Sequence, residues 1–284
     1  MNKLWLIIDC NFLCHRAKHT TQNLSFEGSA TGVIYGVLRS ILDLVERYET
    51  KHIIFCWDYG KGIREDIYPQ YKANRKNRSE ELSYEEERFE NSFQKQVKKL
   101  RREYLKTIGF RNNFKQKGYE GDDVIASVVI HTPIKDDAII ISADKDLYQL
   151  ISPTISMYNP ITRKTMTSRT FSQKFGIKPK QWATVKALAG CTTDNVIGIK
   201  GVGELTAIKY LTNTLGTKGK IFSKIVDEEH HILHTNLPLV RLPLEGTKIF
   251  KLRKDKVTQL GWDCVIKKLG MQSLKKVNVE KLFR

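Results

Sequence analysis

Eight carboxylates stand where an apolar run or a turn ends: Asp9, Asp58, Glu120, Asp122, Asp123, Asp144, Asp146 and Asp194. Packed side by side, carboxylates repel and raise one another's pKa unless a cation lies among them. With oxygen-only donors that cation is a hard divalent ion, Mg²⁺ or Mn²⁺. The body around them is basic: 48 Lys and Arg against 31 Asp and Glu leave a net charge of +17 on 284 residues. An excess of this size points to a polyanionic partner rather than to solubility alone. An acidic metal pocket in a basic body is the electrostatic outline of a metal-dependent nuclease.

Three runs must position the first of these acids. LWLIID (4–9), HIIFCWD (52–58) and AIIISAD (138–144) are short, β-branched and aromatic, and each ends in Asp. They read as fully buried strands of a parallel sheet, where ligands sit outside the carboxyl ends. The apolar helical stretch 31–48 between the first two completes a βαβ unit with a right-handed crossover. The polar segment 63–81 carries little that could form a core. Residues 83–107 read as a long amphipathic helix, with a Ser83/Glu86 capping box and Phe89, Phe93, Val97, Leu100 and Tyr104 at helical spacing. A further helix is expected at 122–131. A short β-like stretch follows 151, then a mainly helical remainder. The basic tail after 271 is expected to be loosely ordered.

No apolar run approaches the roughly 20 residues needed to span a bilayer, and the N-terminus lacks a signal-peptide pattern. A soluble, cytoplasmic monomer without membrane contact is expected. The five cysteines, Cys10, Cys14, Cys56, Cys191 and Cys264, include no C-x-x-C pair. They suggest neither a zinc site nor a disulfide framework, and fit a reducing compartment.

Singly, Asp9 and Asp58 could be helix caps or turn residues. Glu120, Asp122 and Asp123, in YEGDDVIA (119–126), exceed what capping and the helix dipole require. Asp144 and Asp146, in SADKDLYQL (142–150), share a side if the backbone stays extended. The segment GCTTDNVIGIKGVGELTA (190–207) places Asp194 before a Gly-rich turn and a new helix. It reads either as an ordinary helical connection or as a helix-hairpin-helix whose backbone N–H groups bind phosphate.

Several motifs in order carry a resemblance over roughly residues 4–242: IIDCNFLCHR (7–16), FCWD (55–58), YKANR (71–75), GYEGDDVIA (118–126), SADKDLYQL (142–150), FGIKPKQ (175–181) and DN…GIKGVGELTA (194–207). The chain resembles the 5′-nuclease family, which includes flap endonucleases, the 5′-nuclease domain of bacterial DNA polymerase I and the small phage 5′-exonucleases. The resemblance implies an α/β fold: a PIN-like domain at 1–175 with a central, mainly parallel sheet and a helical arch near 72–100. A C-terminal helical domain at 176–284 would carry the helix-hairpin-helix near 185–212.

It further implies that Asp9, Asp58, Glu120, Asp122, Asp123 and Asp144 hold a first metal ion. Asp144, Asp146 and Asp194 would hold a second. Lys72 would stabilise the scissile phosphate beside a basic clamp at Arg75, Tyr71 would stack on the terminal base, and Arg16 would lie near the active-site phosphates. The hairpin, through Gly198, Lys200, Gly201 and Gly203 with Lys209 nearby, would contact duplex phosphates and, as in some members, hold K⁺. The implied activity is Mg²⁺-dependent hydrolysis of phosphodiesters at 5′ flaps and 5′ ends of DNA, or of RNA-primed DNA, in replication and repair.

Two departures stand out. Cys10 replaces the small residue usual after the first Asp, with a packing effect only. Cys191 stands where the family's G-D-x-x-D-N pattern has Asp, which puts the second metal in question. Either the second site holds Mg²⁺ weakly, or Asp146 and Asp194 suffice. Two rival functions are a flap-binding protein with lost catalysis, which has no need of packed carboxylates, and an RNase H-like primer remover. A small PIN-type toxin RNase would lack the hairpin domain.

Overall fold

The computed structural model describes residues 3–60, 62–74, 82–131 and 137–283. Its centre is a six-stranded sheet made of β1 (Leu4–Asp9), β4 (His52–Trp57), β5 (Asn113–Lys115), β6 (Asp137–Ile141), β7 (Ile155–Asn159) and β8 (Lys164–Met166) in the order β5-β4-β1-β6-β7-β8. All pairings are parallel except β7–β8. A two-stranded ribbon, β2 (Ser25–Phe26) and β3 (Ser29–Ala30), stands apart from it. Because the chain moves from β1 to β4 on one side and to β6 on the other, the strand order reverses at β1. The carboxyl ends of β1, β4 and β6 therefore frame a crevice.

The strands are apolar throughout because both faces are covered. Leu6, Ile8, Ile53, Phe55, Trp57, Ile139 and Ile141 join one core, while Ile7, Ile54, Cys56 and Ile140 join the other, as a two-residue side-chain period demands. The first core takes helices Cys10–Thr20, Gly32–Tyr48 and Tyr84–Lys99, through Leu13, Val37, Ile41 and Phe93. The second takes helix Gly121–His131 through Val124, Ile125 and Val128. It also takes helix Trp182–Ala189 through Trp182, Val185 and Leu188.

The expected long helix starts with the Ser83/Glu86 capping box. It does not run uniformly: Leu100–Tyr104 forms a wider π-type turn before the helix ends at Ile108. Such turns rotate the side chains beyond them relative to a straight helix.

One expectation is corrected here. Residues after 271 are not a loose tail. The helices Gln259–Lys268 and Val279–Phe283 return to the α/β core, where Trp262, Val265, Leu274 and Val279 are fully buried with Phe110. The helical half packs against the sheet. Phe171, Ile177 and Trp182 share one cluster with the strand residues Ile7 and Ile140, so a division at 175/176 cuts through packed side chains. Leu274→Ala should accordingly cost about 2–5 kcal/mol, the range for a buried leucine truncated in a packed core, and lower the urea midpoint. A loose tail would leave that midpoint unchanged.

Candidate metal centre and nucleic-acid interface

A cavity of about 570 Å³ opens at the carboxyl ends of β1, β4 and β6, and seven of the eight carboxylates line it: Asp9, Asp58, Glu120, Asp122, Asp144, Asp146 and Asp194. They arrive from five stretches of the chain, and several are held by a neighbour. Asp9 caps the helix that follows β1, its Oδ1 accepting the Phe12 N–H at 2.9 Å and its Oδ2 the buried Ser142 hydroxyl at 2.7 Å. Asp58 accepts from the Gly121 N–H at 2.5 Å and from Asn11 Nδ2 at 2.7 Å. Gly121 is required here, because a Cβ would stand 2.9 Å from Asp58 Oδ1. Asp144 accepts the Asp146 N–H at 2.9 Å.

The electrostatics are those of an acid cluster built for a cation. Burial, with Asp58 and Asp144 nearby, pushes Asp9 up to about 7. Asp122 is pushed well above the carboxylate range, first by burial and then by Asp144, Asp9, Asp58 and Glu120. Among the described residues no donor meets its carboxylate. Hard oxygen donors that destabilise one another's charged forms fit a hard divalent ion.

A second group lies beside the first. One ligand atom each from Asp146, Cys191 and Asp194 falls within 4.8 Å of the others. Cys191 Sγ lies 3.1 Å from Thr193 Oγ1, and burial pushes its thiol above the ordinary value, leaving it neutral at pH 7. The Lys186 ammonium, nearly buried, sits 3.1 Å from Asp146 Oδ1 and 3.6 Å from Glu204 Oε1. Two carboxylates, a neutral thiol and an ammonium fit a hard divalent ion less well than the first group does.

The segment 68–74 is tied to the loop between β9 (Gly190–Cys191) and β10 (Val196–Ile197). Lys72 N–H donates to Asp194 O at 2.9 Å, Asn195 Nδ2 to Gln70 O at 2.8 Å and Asn74 Nδ2 to Thr192 O at 3.1 Å. These bonds hold Lys72 in a left-handed backbone conformation, φ 55°, which a non-glycine residue adopts only under such constraint. Its ammonium meets Glu120 Oε1 at 2.5 Å and Asp194 Oδ1 at 3.8 Å, placing a cation between the two groups.

Two of the expected site residues, Asp123 and Tyr71, are largely buried. Asp123 does not face the cavity. It is fully buried and forms a fork with Arg64, Nη1 to Oδ2 at 2.5 Å and Nη2 to Oδ1 at 2.7 Å, and it also accepts the Leu244 N–H at 2.8 Å. One helical step from Asp122 turns it inward. Tyr71 lines the cavity but is only 3% exposed, packing with Ala187, Cys191, Val196 and Leu239 while its hydroxyl donates to Glu120 Oε2 at 3.2 Å.

Arg16 lies outside the cavity lining and donates to Ser40 Oγ at 3.3 Å. Arg75 lies outside the described residues, as does part of the expected arch at 72–100. Gly198, Lys200, Gly201 and Gly203 form the turn between β10 and helix Glu204–Leu211, with Lys200 and Lys209 exposed. A Cβ on Gly198 would stand 2.3 Å from the Gly190 N, so the hairpin closes only with glycine there.

Asn11, Arg64, Ser142 and Lys186 were missed in the sequence. Lys186 carried a signal, as the only charge in the apolar helix WATVKALA. Arg64, in a polar stretch, carried none.

A family model described as the 5′-3′ exonuclease, N-terminal resolvase-like domain, matches residues 4–176. The 5′-3′ exonuclease of Bacillus subtilis (strain 168) is 31% identical over 220 residues, spanning 74% of this chain and 70% of its own length. Among solved structures, T5 5′-exonuclease with divalent metal ions (zinc) bound superposes with a TM-score of 0.72 at 25% identity, covering 85% of this chain and 90% of that one. A complex of bacteriophage T5 flap endonuclease with DNA and metal ions gives the same TM-score of 0.72 and the same coverage, at 24% identity, a likeness of fold.

Proposed function

This chain belongs to the 5′-3′ exonuclease family and is a metal-dependent 5′-nuclease, and we propose that it hydrolyses 5′ flaps and 5′ ends of DNA with Mg²⁺ in the cavity beyond β1, β4 and β6. The observation that carries this reading is the convergence of seven carboxylates with Lys72 in one cavity. A flap-binding protein without catalysis has no use for carboxylates that raise one another's pKa. The T5 flap endonuclease complex with DNA and metal ions, on the same fold, supports DNA as the substrate.

Asp9, Asp58, Asp122 and Asp144 would hold a divalent ion, which when bound would supply positive charge to the phosphoryl transition state and activate water. The chain's own residues prepare that site. Asn11, Ser142 and the Gly121 N–H fix the carboxylate orientations, and Lys72 presents a fixed ammonium to the scissile phosphate. The hairpin of Gly198, Lys200, Gly201 and Gly203, with Lys209, holds duplex phosphates through backbone N–H groups and exposed cations. K⁺ binding by this hairpin, RNA-primed DNA as a substrate and a monomeric state belong to the same reading.

Labelled flap, nicked and RNA-primed duplexes incubated with Mg²⁺ test it. Cleavage near the junction of the flap is expected, and binding without cleavage in Mg²⁺ or Mn²⁺ would overturn it. Lys72→Ala should lower kcat by about 10²–10³ with the Kd measured in Ca²⁺ little changed, because the charge acts on the transition state. Equal loss of binding and rate would make Lys72 an ordinary groove residue.

The thiol at 191 should make the second group a weak Mg²⁺ site. Cys191→Asp should lower the Mg²⁺ concentration for half-maximal cleavage and raise the number of Mn²⁺ ions bound, counted by electron paramagnetic resonance. Superimposable titrations would mean Asp146 and Asp194 already suffice.

A further inference from the structure

A second cavity, of about 600 Å³, lies outside the carboxylate site and is lined by Arg101, Arg102, Lys106, Arg111, Arg253 and Lys256 with no carboxylate. Two stretches distant in sequence build it: residues 101–113, which include most of the π-type turn Leu100–Tyr104, and the strap 253–256. The strap is fixed by its backbone. Asn112 Nδ2 donates to Arg253 O at 2.8 Å, Arg253 N–H returns to Asn112 Oδ1 at 2.8 Å, and Lys256 N–H reaches Gly109 O at 2.9 Å. Any Cβ on Gly109, which has φ +113°, would collide with Lys256 O. The one acid of the strap, Asp255, is turned away to accept the Arg111 and Asn112 N–H groups at 2.6 and 3.4 Å.

Among the described residues no carboxylate lies within ion-pair distance of Arg102, Lys106, Arg253 or Lys256. Burial and then the neighbouring Arg102 push Arg101 below its ordinary value, and burial and then Arg101 push Lys115 below the usual ammonium value. Arg101 Nε is buried without a hydrogen-bond partner. Cations gathered on a backbone fixed in this way, with no carboxylate in the lining, suit a polyanion.

Arg101 also joins this groove to the active site. Its Nη1 donates to Asp58 O at 2.8 Å, and Arg101 and Asp58 share a smaller cavity with Asn11 and Gln94. Beside it the Tyr59 ring lies between the Arg101 guanidinium at 5.1 Å and the Lys115 ammonium at 4.3 Å. Cations interleaved with an aromatic ring suit a single strand.

We propose that this groove binds the phosphodiester backbone of the single-stranded arm that extends from the active-site cavity past Asp58 and Arg101, a reading that rests on the 5′-nuclease assignment. The arm would gain affinity from phosphates beyond the scissile one.

The test uses the full chain in Ca²⁺ with duplexes carrying 5′ arms of about 2 or about 15 nucleotides, and a nicked duplex without an arm. Wild type should bind the long arm more tightly, with a steeper fall of log K against log salt, about 0.7 for each single-strand phosphate neutralised. Changing Arg102, Lys106, Arg253 and Lys256 together to Ala should abolish that gain and reduce the slope by up to about 3. Binding and cleavage of the nicked duplex should be unchanged. Lysine at all four positions should restore the gain, separating charge from folding. If the alanine variant keeps the arm-length gain, or weakens on all three substrates alike, the proposal is overturned. Failure of the nuclease assignment would show separately, as absence of wild-type cleavage in Mg²⁺.

Discussion

Asp122→Asn should abolish metal-dependent cleavage and at the same time stabilise the metal-free protein. The carboxylate lies among Asp144, Asp9, Asp58 and Glu120 with burial as the largest force on it, and among the described residues no hydrogen bond compensates it. Replacing it removes one charged ligand, which should raise the barrier by several kcal/mol, each 1.36 being a tenfold loss of rate. Without metal it also removes a buried repulsion. The sign follows from the direction of the shift: a carboxylate whose folded-state pKa is raised costs stability as pH rises above its unfolded value of about 4. The variant's gain in Tm over wild type, in chelator, should therefore be absent near pH 4 and grow toward pH 7. Saturating Mn²⁺ should reverse the order, because wild type gains more from binding. A variant less stable than wild type in chelator at pH 7 would show that Asp122 is a structural residue and that the cluster does not await a cation.

The second large effect is expected at Arg64, a buried residue in the wall of the carboxylate cavity. Its guanidinium is 2% exposed, forks onto Asp123 and donates from Nε to Leu239 O at 2.8 Å. It thereby ties the start of the helix that carries Asp122 to the end of helix Lys220–Val240. Arg64→Met should cost about 3–5 kcal/mol, because Asp123 is left as an uncompensated buried charge. Arg64→Met with Asp123→Asn should cost clearly less than the sum of the two singles, since the pair couples. Urea denaturation of the four proteins measures both quantities, and a loss below about 1 kcal/mol in Arg64→Met would mean water reaches the pair.

The chemistry of this protein was legible in its sequence because it depends on residue type at element ends. Strands that are apolar on both faces are read from their composition, and a parallel sheet forces their ends to one side. Asp9, Asp58 and Asp144 thus had one possible meeting place. The capping box at Ser83 is equally local. What the sequence could not decide were the faces and partners of residues in irregular or adjacent positions. Asp122 and Asp123 are neighbours of one type, and only the rotation of the helix sends one to the cavity and the other to Arg64. That Tyr71 packs against Cys191 and Val196 and is only 3% exposed was likewise set by residues far along the chain. The return of Trp262 and Leu274 to the first core, and the meeting of Arg102, Lys106, Arg253 and Lys256 in one groove, join residues about 150 positions apart. Those contacts follow from tertiary packing, which no periodicity within a single segment encodes.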